Sequence, residues 1–469
     1  MRGKSLVVHT NQPQAGVEGT NDMATLAHLA AISFTSELAA SFGVTTHAPL
    51  ELVVSNGARG VQAASEISRG SLLLTVPHAS CISVVRGTDD DKRLASALLD
   101  AVREDARWGM YYKKGFLPAE PTNAAMLWSE VEISELQLPF AIERAQELNE
   151  RFQASLEDLP PEIEREDWEW AYSMVYSRSF VVSESDADGD DVTDVRLLAP
   201  FLDLLNHAPE SPREYAAKYA EWAADGYDDE PPSPWRFTQD GNDLMVALHS
   251  DRDTAAGEEV LLPYGVESSD ELLATSGFIP QPNSAEYVPL FADLVEMAGL
   301  AQLKCGHTDE IARRRLQMLA DLDAVDAPLA ARPGESPAAA AGHLLACATL
   351  LCLDDTEDER ELFREDYVDA IGHYTLVPSQ PLDTASARTF CANVALDILQ
   401  SLPTTLADDE ATWSAVRQAT SEADGGSRIR LPEGVSKAAY LAALEYRMEA
   451  KRILHRFAAD CTSRPGIID

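Results

Sequence analysis

The chain has 469 residues, too many for one ordinary core, with 45% hydrophobic residues and a net charge of −41 from 78 acidic and 37 basic side chains. That composition is globular, and its field repels nucleic-acid backbones, whose recognition rests on Lys and Arg, while a basic polypeptide segment suits it as a partner. No apolar run approaches the ~18 residues that span a bilayer; Leu344 to Leu353 comes nearest.

In chain order, residues 1–22 read as a disordered leader, acid-free as far as Glu18 and lacking the apolar centre of a signal peptide. A helix is expected over 23–41. From 50 to 85 short Val- and Leu-rich runs (LELVV, VQAAS, SLLLTVP) alternate with turn residues, SNGARG among them, which signals strands and hairpins. Helical spacing occupies 90–180, where Trp168, Tyr172 and Val175 share the face of a helix that ends near Arg178. The acidic loop ESDADGDDVTD follows. It begins like a calcium loop at Asp186, but Asp191 stands where the turn glycine belongs and Leu197 replaces the closing glutamate.

Leu197 to Leu205 is almost wholly apolar, bent by Pro200 and broken by Asp203, and it ends in Asn206-His207. An Asn-His pair closing a buried run needs partners, because an unpaired buried amide costs roughly 1–3 kcal/mol. The loop DDEPPSP then leads to the β pair WRF/LMVALH and the strand EEVLLPYG. After Pro282 the pattern is helical to the end, with Ser336-Pro337 as an N-cap pair. In the last helix Ala439, Ala443, Tyr446, Ala450, Ile453 and Phe457 form one buried stripe. The fold class is therefore α+β: a β-rich domain interrupted by helices, then an all-helical domain. The six scattered cysteines lack any CxxC spacing and read as buried thiols, and no metal site is expected.

No GxGxxG, P-loop, HExxH or GxSxG occurs. What remains is GARGVQA at 57–63, YSRSF at 176–180, DLLNH at 203–207 and LPYG at 262–265, the last running on to SGF at 276–278. Each alone has a bland structural explanation. Together, in this order and with the terminal LEYRMEAKRILH, they resemble the SET-domain protein methyltransferases of the Rubisco large-subunit methyltransferase type. The resemblance implies a SET domain over 23–283 with a pseudoknot and a helical insert at about 90–180, then a helical substrate-binding domain over 284–469.

It also implies S-adenosyl-L-methionine as cofactor. Ala58, Arg59 and Gly60 would lay backbone against it, Arg178 would pair with its carboxylate, and Asn206 and His207 would contact it with Asp203 as support. Tyr264 would be the catalytic residue. Ser276 and Phe278 would line the acceptor channel, where many relatives carry Tyr in place of Ser276. The implied activity is N-methylation of a lysine in a non-histone protein. Histidine is the alternative acceptor, since actin-histidine methyltransferases also carry Ser-Gly-Phe, and a non-catalytic protein-binding scaffold is the alternative class. The expected protein is a monomer, cytoplasmic or nuclear, with the chloroplast also compatible, and its partner is a protein substrate rather than nucleic acid or membrane.

Overall fold

The computed structural model describes residues 36–55, 58–157, 159–185, 192–209, 234–265, 267–321, 329–331, 342–353, 385–418 and 431–463. The expected leader, residues 23–35 of the first expected helix, Asp186 to Asp191, most of DDEPPSP, and Ser336-Pro337 lie outside these. Among the described residues no helix is long and apolar enough to cross a membrane.

The chain enters through a short helix α1 (Glu37–Ser41), capped by Ser36, and strand β1 (Thr45–Thr46). Strands β2 (Leu50–Ser55) and β3 (Ala58–Ala63) form an antiparallel hairpin with Ser55 opposite Ala58. Ala58, Arg59 and Gly60, expected in a turn, are therefore strand residues: the ladder already includes Ala58, opposite Ser55. Strands β4 (Leu72–Pro77) and β5 (Ile82–Val85) follow.

The helical insert comprises α2 (Asp90–Glu104), α3 (Ala106–Lys113), α4 (Glu130–Ser134), α5 (Pro139–Glu157) and α6 (Arg165–Arg178). Helix α6 ends at the expected arginine and buries Trp168, Tyr172 and Val175. Strands β6 (Phe180–Ser185) and β7 (Val192–Leu198) then build a sheet in the order β5-β7-β6.

The apolar run before Asn206 is not one strand. It leaves β7 at Leu198, turns at Phe201 in the left-handed region (φ 71°), makes a single 3-10 turn over Leu202–Leu204, and extends again as β8 (Asn206–His207). Strands β9 (Trp235–Asp240) and β10 (Asp243–His249) complete a sheet in the order β1-β4-β10-β9. Of EEVLLPYG only β11 (Leu261–Leu262) is regular strand, and it pairs in parallel with β8, Leu261 beside Asn206 and Leu262 beside His207.

Helix α7 (Ser269–Ser276) leads to the C-terminal region. That region holds β12 (Val288–Pro289), α8 (Leu294–Cys305), α9 (Asp309–Asp321), β13 (Ala330–Ala331), α10 (Gly342–Leu351), α11 (Ala385–Ser401), α12 (Leu406–Gln418) and α13 (Lys437–Ser463). Among the described residues its regular structure is helical apart from the small antiparallel β12–β13 pair, which the apolar spacing did not reveal. The six stripe residues of α13 are all buried. Of the cysteines, Cys347, Cys352, Cys391 and Cys461 are buried, Cys81 is half-buried and Cys305 is exposed, so the expectation of uniformly buried thiols fails at the helix end that carries Cys305.

Two apolar cores result, and the insert contributes to both. Leu94, Leu98, Trp108, Tyr111 and Tyr172 pack with the β strands. Trp128, Ile133, Leu136 and Ala141 pack instead with the C-terminal helices, together with Leu273 of α7. Polar contacts reinforce that seam. The Glu132 carboxylate accepts from Ser129 N–H to cap α4 and from Ser436 N–H at the start of α13.

Candidate functional site

The parallel pairing of β8 with β11 decides where the polar residues meet. His207 is buried, and its Nδ1 accepts the backbone N–H of Tyr264 at 3.2 Å. That bond fixes the remaining proton of the neutral ring on Nε2. Burial, with the Arg252 charge adding to it, pushes the imidazole down to about 4, so it is neutral near pH 7. The rings of Tyr264 and Phe278 lie 5.1 and 6.0 Å from that of His207, and 6.4 Å from each other, edge to face. The Tyr264 hydroxyl donates to Leu205 O at 2.7 Å. Burial pushes it up to about 12, so it is a phenol, not a base, near neutral pH.

Asn206 looks the other way. Its Nδ2 donates to Arg59 O and to Glu259 Oε1, both at 2.7 Å. Two acceptors on one side use both amide hydrogens, which leaves Oδ1 as an acceptor for whatever occupies the site. Space at Gly60 is tight: a Cβ there would lie 2.3 Å from Oε1 at the movable end of the Glu259 side chain. Glu259 thus packs directly against Gly60. Sequence reasoning missed this residue, because one of two adjacent glutamates in GEEV carries no distinguishing signal.

Arg178 is anchored from within the protein. Its Nη1 donates to Asp203 O at 2.8 Å and reaches Asp203 Oδ2 at 3.4 Å, so Asp203 holds the guanidinium in place. Arg59 turns under the insert, where its Nη1 donates to Gly115 O at 3.2 Å and to Phe116 O. Burial and the neighbouring Arg178 charge push Arg59 down to about 10. The Nε atoms of both arginines are buried without a hydrogen-bond partner. Two guanidiniums facing one carboxylate leave an excess positive charge and two unpaired donors, an arrangement that suits an anion.

Tyr111 of α3 was also missed. Its hydroxyl donates to Asp203 Oδ1 at 2.5 Å and accepts from Phe201 N–H at 2.9 Å, clamping the left-handed turn that precedes Asn206. Burial and the Asp203 charge hold that phenol well above its ordinary range. Nothing in WGMYY sets this tyrosine apart from its neighbour.

Ser276 ends α7, its hydroxyl 3.4 Å from that of Thr275, and no contact places it against Tyr264. Gly277 follows as the left-handed cap (φ 80°) and aims Phe278 at the aromatic group. A Cβ at Gly277 would lie 2.6–2.8 Å from the backbone of Asn123 and Ala124. Left-handed strain of ~1–2 kcal/mol plus overpacking of ~1–3 kcal/mol predicts that Gly277→Ala destabilises by roughly 2–5 kcal/mol. Urea unfolding checks this; a loss below about 1 kcal/mol would show that the insert backbone yields freely. Ala58 lies in β3 beside Arg59. The structure thus gathers Arg59, Gly60, Arg178, Asp203, Asn206, His207, Tyr264 and Phe278 around the β8–β11 pair and leaves Ser276 at its edge.

The fold that carries this site is a known one. A solved SET domain of LSMT bound to lysine and AdoHcy aligns at a TM-score of 0.50 and 19% identity, over 91% of this chain and 89% of that chain. The SET domain of LSMT bound to methyllysine and AdoHcy aligns at a TM-score of 0.52 and 19% identity, over 91% of each chain. The β-rich part, with its helical insert and parallel β8–β11 crossing, therefore has the SET fold. Residues 306–454 match the Rubisco LSMT substrate-binding family. The chain thus joins a part with the SET fold to a C-terminal part that matches the Rubisco LSMT substrate-binding family. Comparison with curated proteins finds no match.

Proposed function

We propose that this protein is an S-adenosylmethionine-dependent protein N-methyltransferase whose acceptor is a lysine side chain of a non-histone protein. The observation that carries the reading is the meeting of a cation-rich polar face with an aromatic end at one parallel strand pair. On the polar face, Arg59 and Arg178 bring excess positive charge and unpartnered Nε donors. Asn206 offers its Oδ1 beside them, because its amide hydrogens are spent on Arg59 O and Glu259. Donors for a carboxylate next to an acceptor for an ammonium fit the amino-acid end of the cofactor. When bound, the cofactor supplies an electrophilic methyl group on a sulfonium.

The protein's part is placement. Tyr264 donates its proton to Leu205 O, so its oxygen lone pairs are turned to accept an N–H from an incoming amine. The aromatic walls of Tyr264 and Phe278 desolvate that amine, which favours the neutral, nucleophilic form. His207 locks the backbone of Tyr264 through Nδ1 and thereby fixes the ring. Tyr264, held as a phenol, orients the nucleophile and does not deprotonate it. The LSMT structures, one bound to lysine and one to methyllysine, support lysine over histidine as acceptor.

Calorimetry with S-adenosylmethionine is expected to show one site per chain. Arg178→Ala should weaken it by about 10–100-fold, the worth of a lost charge-assisted hydrogen bond. No binding by the wild-type protein would end the methyltransferase reading. Labelled cofactor added to cell extract, with mass-spectrometric mapping of the product, then separates lysine from histidine transfer and from a non-catalytic scaffold.

A further inference from the structure

The C-terminal helices gather five of the six cysteines, and one of those five is exposed. Cys347 lies on α10 and Cys352 just after it, Cys391 on α11 and Cys461 on α13, all buried, whereas Cys305 ends α8 at the surface. The Cys352 thiol has that of Cys305 beside it, within reach of a side-chain hydrogen bond. Two thiols fall short of a metal site, and among the described residues no third ligand joins them.

A second set of contacts, which involves neither sulfur, brings the same two stretches together. Arg315 of α9 is 1% exposed, and its Nη1 donates to Leu351 O at 3.3 Å, Leu353 O at 2.8 Å and His307 Nε2 at 3.1 Å. The two carbonyls flank Cys352, and His307 follows Cys305 by two residues. One buried nitrogen thus pins both stretches at the same point. Cys352 is held there, its N–H bonded to Ala348 O at 2.8 Å. Cys305 has more room. Gly306 caps α8 in the left-handed region (φ 75°), with open space where a Cβ would stand, and such helix ends yield at little cost.

We infer that Cys305 and Cys352 are a redox pair, which a peroxide closes into a disulfide tying the end of α8 to the end of α10. The inference is independent of the methyltransferase reading, since both thiols belong to the C-terminal region.

Exposure sets the order of steps. A peroxide meets Cys305 first. The Cys305 sulfur attacks one peroxide oxygen; the S–O bond forms, the O–O bond breaks, and the other oxygen leaves as water with the thiol proton. The Cys352 sulfur then attacks the sulfenic sulfur of Cys305. The S–S bond forms, the S–O bond breaks, and a second water carries off the Cys352 proton. Two thiols lose two electrons and two protons, and one hydrogen peroxide becomes two waters. Burial, with Cys305 adding to it, pushes the Cys352 thiol well up, while the Arg315 charge favours its thiolate. Cys352 is thus a poor first target and a suitable second one, already placed against the sulfur it attacks. The bond would close a loop of about 50 residues, which constrains the unfolded chain and stabilises the fold.

The test treats the full-length protein with a twofold excess of hydrogen peroxide, alkylates the remaining thiols under denaturing conditions, and maps unreduced peptides by mass spectrometry. A peptide pair linked through Cys305 and Cys352 is expected, with the intact mass lower by two hydrogens and restored by dithiothreitol. Cys347, Cys391 and Cys461 should stay alkylatable, as should Cys81 of the β-rich part, whose thiol burial pushes up to about 12. Cys305→Ser, a change at an exposed position, should leave Cys352 alkylatable. Cys352→Ala should leave Cys305 as a sulfenic acid that dimedone traps. Oxidation should raise the melting temperature of the wild type by about 5 °C and leave that of Cys305→Ser unmoved.

Cys305 carried to the sulfinic acid with no link, or linked to a second copy of the chain, overturns the pair. So does a link between two other cysteines in its place. A melting temperature that stays still, or that moves equally in Cys305→Ser, overturns the tie between the helices.

Discussion

Replacing Asp409 with alanine is expected to destabilise the protein by roughly 3–5 kcal/mol, the cost of breaking a buried ion pair from one side. Asp409 is fully buried on α12 and serves two cations of α13. Arg447 Nε donates to its Oδ1 at 2.9 Å, and Lys451 Nζ to its Oδ2 at 2.5 Å, with both cations 1–2% exposed. The network does not stop there. Arg447 Nη1 donates to Glu135 O and Oε2, and Lys451 Nζ to Thr404 Oγ1 and Gln137 Oε1, so the last helix is tied to the helical insert.

Deleting the carboxylate would strip Lys451 of its carboxylate partner and leave Arg447 with Glu135 alone, in a buried seam. Asp409→Asn keeps the shape and one acceptor and should cost less. Arg452→Ala supplies the contrast: its partners Glu410 and Glu449 are about as exposed as it is, and such pairs are worth under about 1 kcal/mol. Urea unfolding of the three variants checks the order. Equal losses for Asp409→Ala and Arg452→Ala would remove the seam from the account of stability.

The second large effect is on chemistry. Under the proposed function, Tyr264→Phe is expected to lower methyl transfer by roughly 10²–10³-fold, the usual scale for removing one preorganised hydroxyl or amide from a reacting centre. Cofactor affinity should stay within about threefold, because the ring contacts with His207 and Phe278 and the backbone bond to His207 Nδ1 survive. The hydroxyl lost is the one that donates to Leu205 O and that the proposed mechanism uses to accept from the amine. Single-turnover rates and calorimetry on one preparation separate the two quantities. Transfer at the wild-type rate would remove Tyr264 from the catalytic role; loss of cofactor binding in parallel would make it a structural residue.

Much of this site was legible because its signals are local. Asn206-His207 after an apolar run stood out as polar groups in need of partners, and Pro-Tyr-Gly closed a strand pattern. The α13 stripe predicted one buried face because helical spacing is a property of neighbouring residues alone. What escaped notice is the set of contacts that fix these residues. Glu259 meets Asn206, Tyr111 meets Asp203 and Arg447 meets Glu135 across 53, 92 and 312 residues of sequence. None of those residues has a local pattern that separates it from its neighbours.

The sequence by itself determined the types of the longer elements, the buried face of the last helix, and which short stretches carry unusual polar residues, since periodicity and turn chemistry act over a few residues. Only the tertiary structure decided that Arg178 is held by Asp203, that Glu259 occupies the space beside Gly60, and that the insert shares its core with the C-terminal helices. The physical reason is that hydrogen bonds and desolvation depend on distance in space. A parallel pairing as short as that of β8 and β11, two residues on each strand, leaves no mark in composition or spacing.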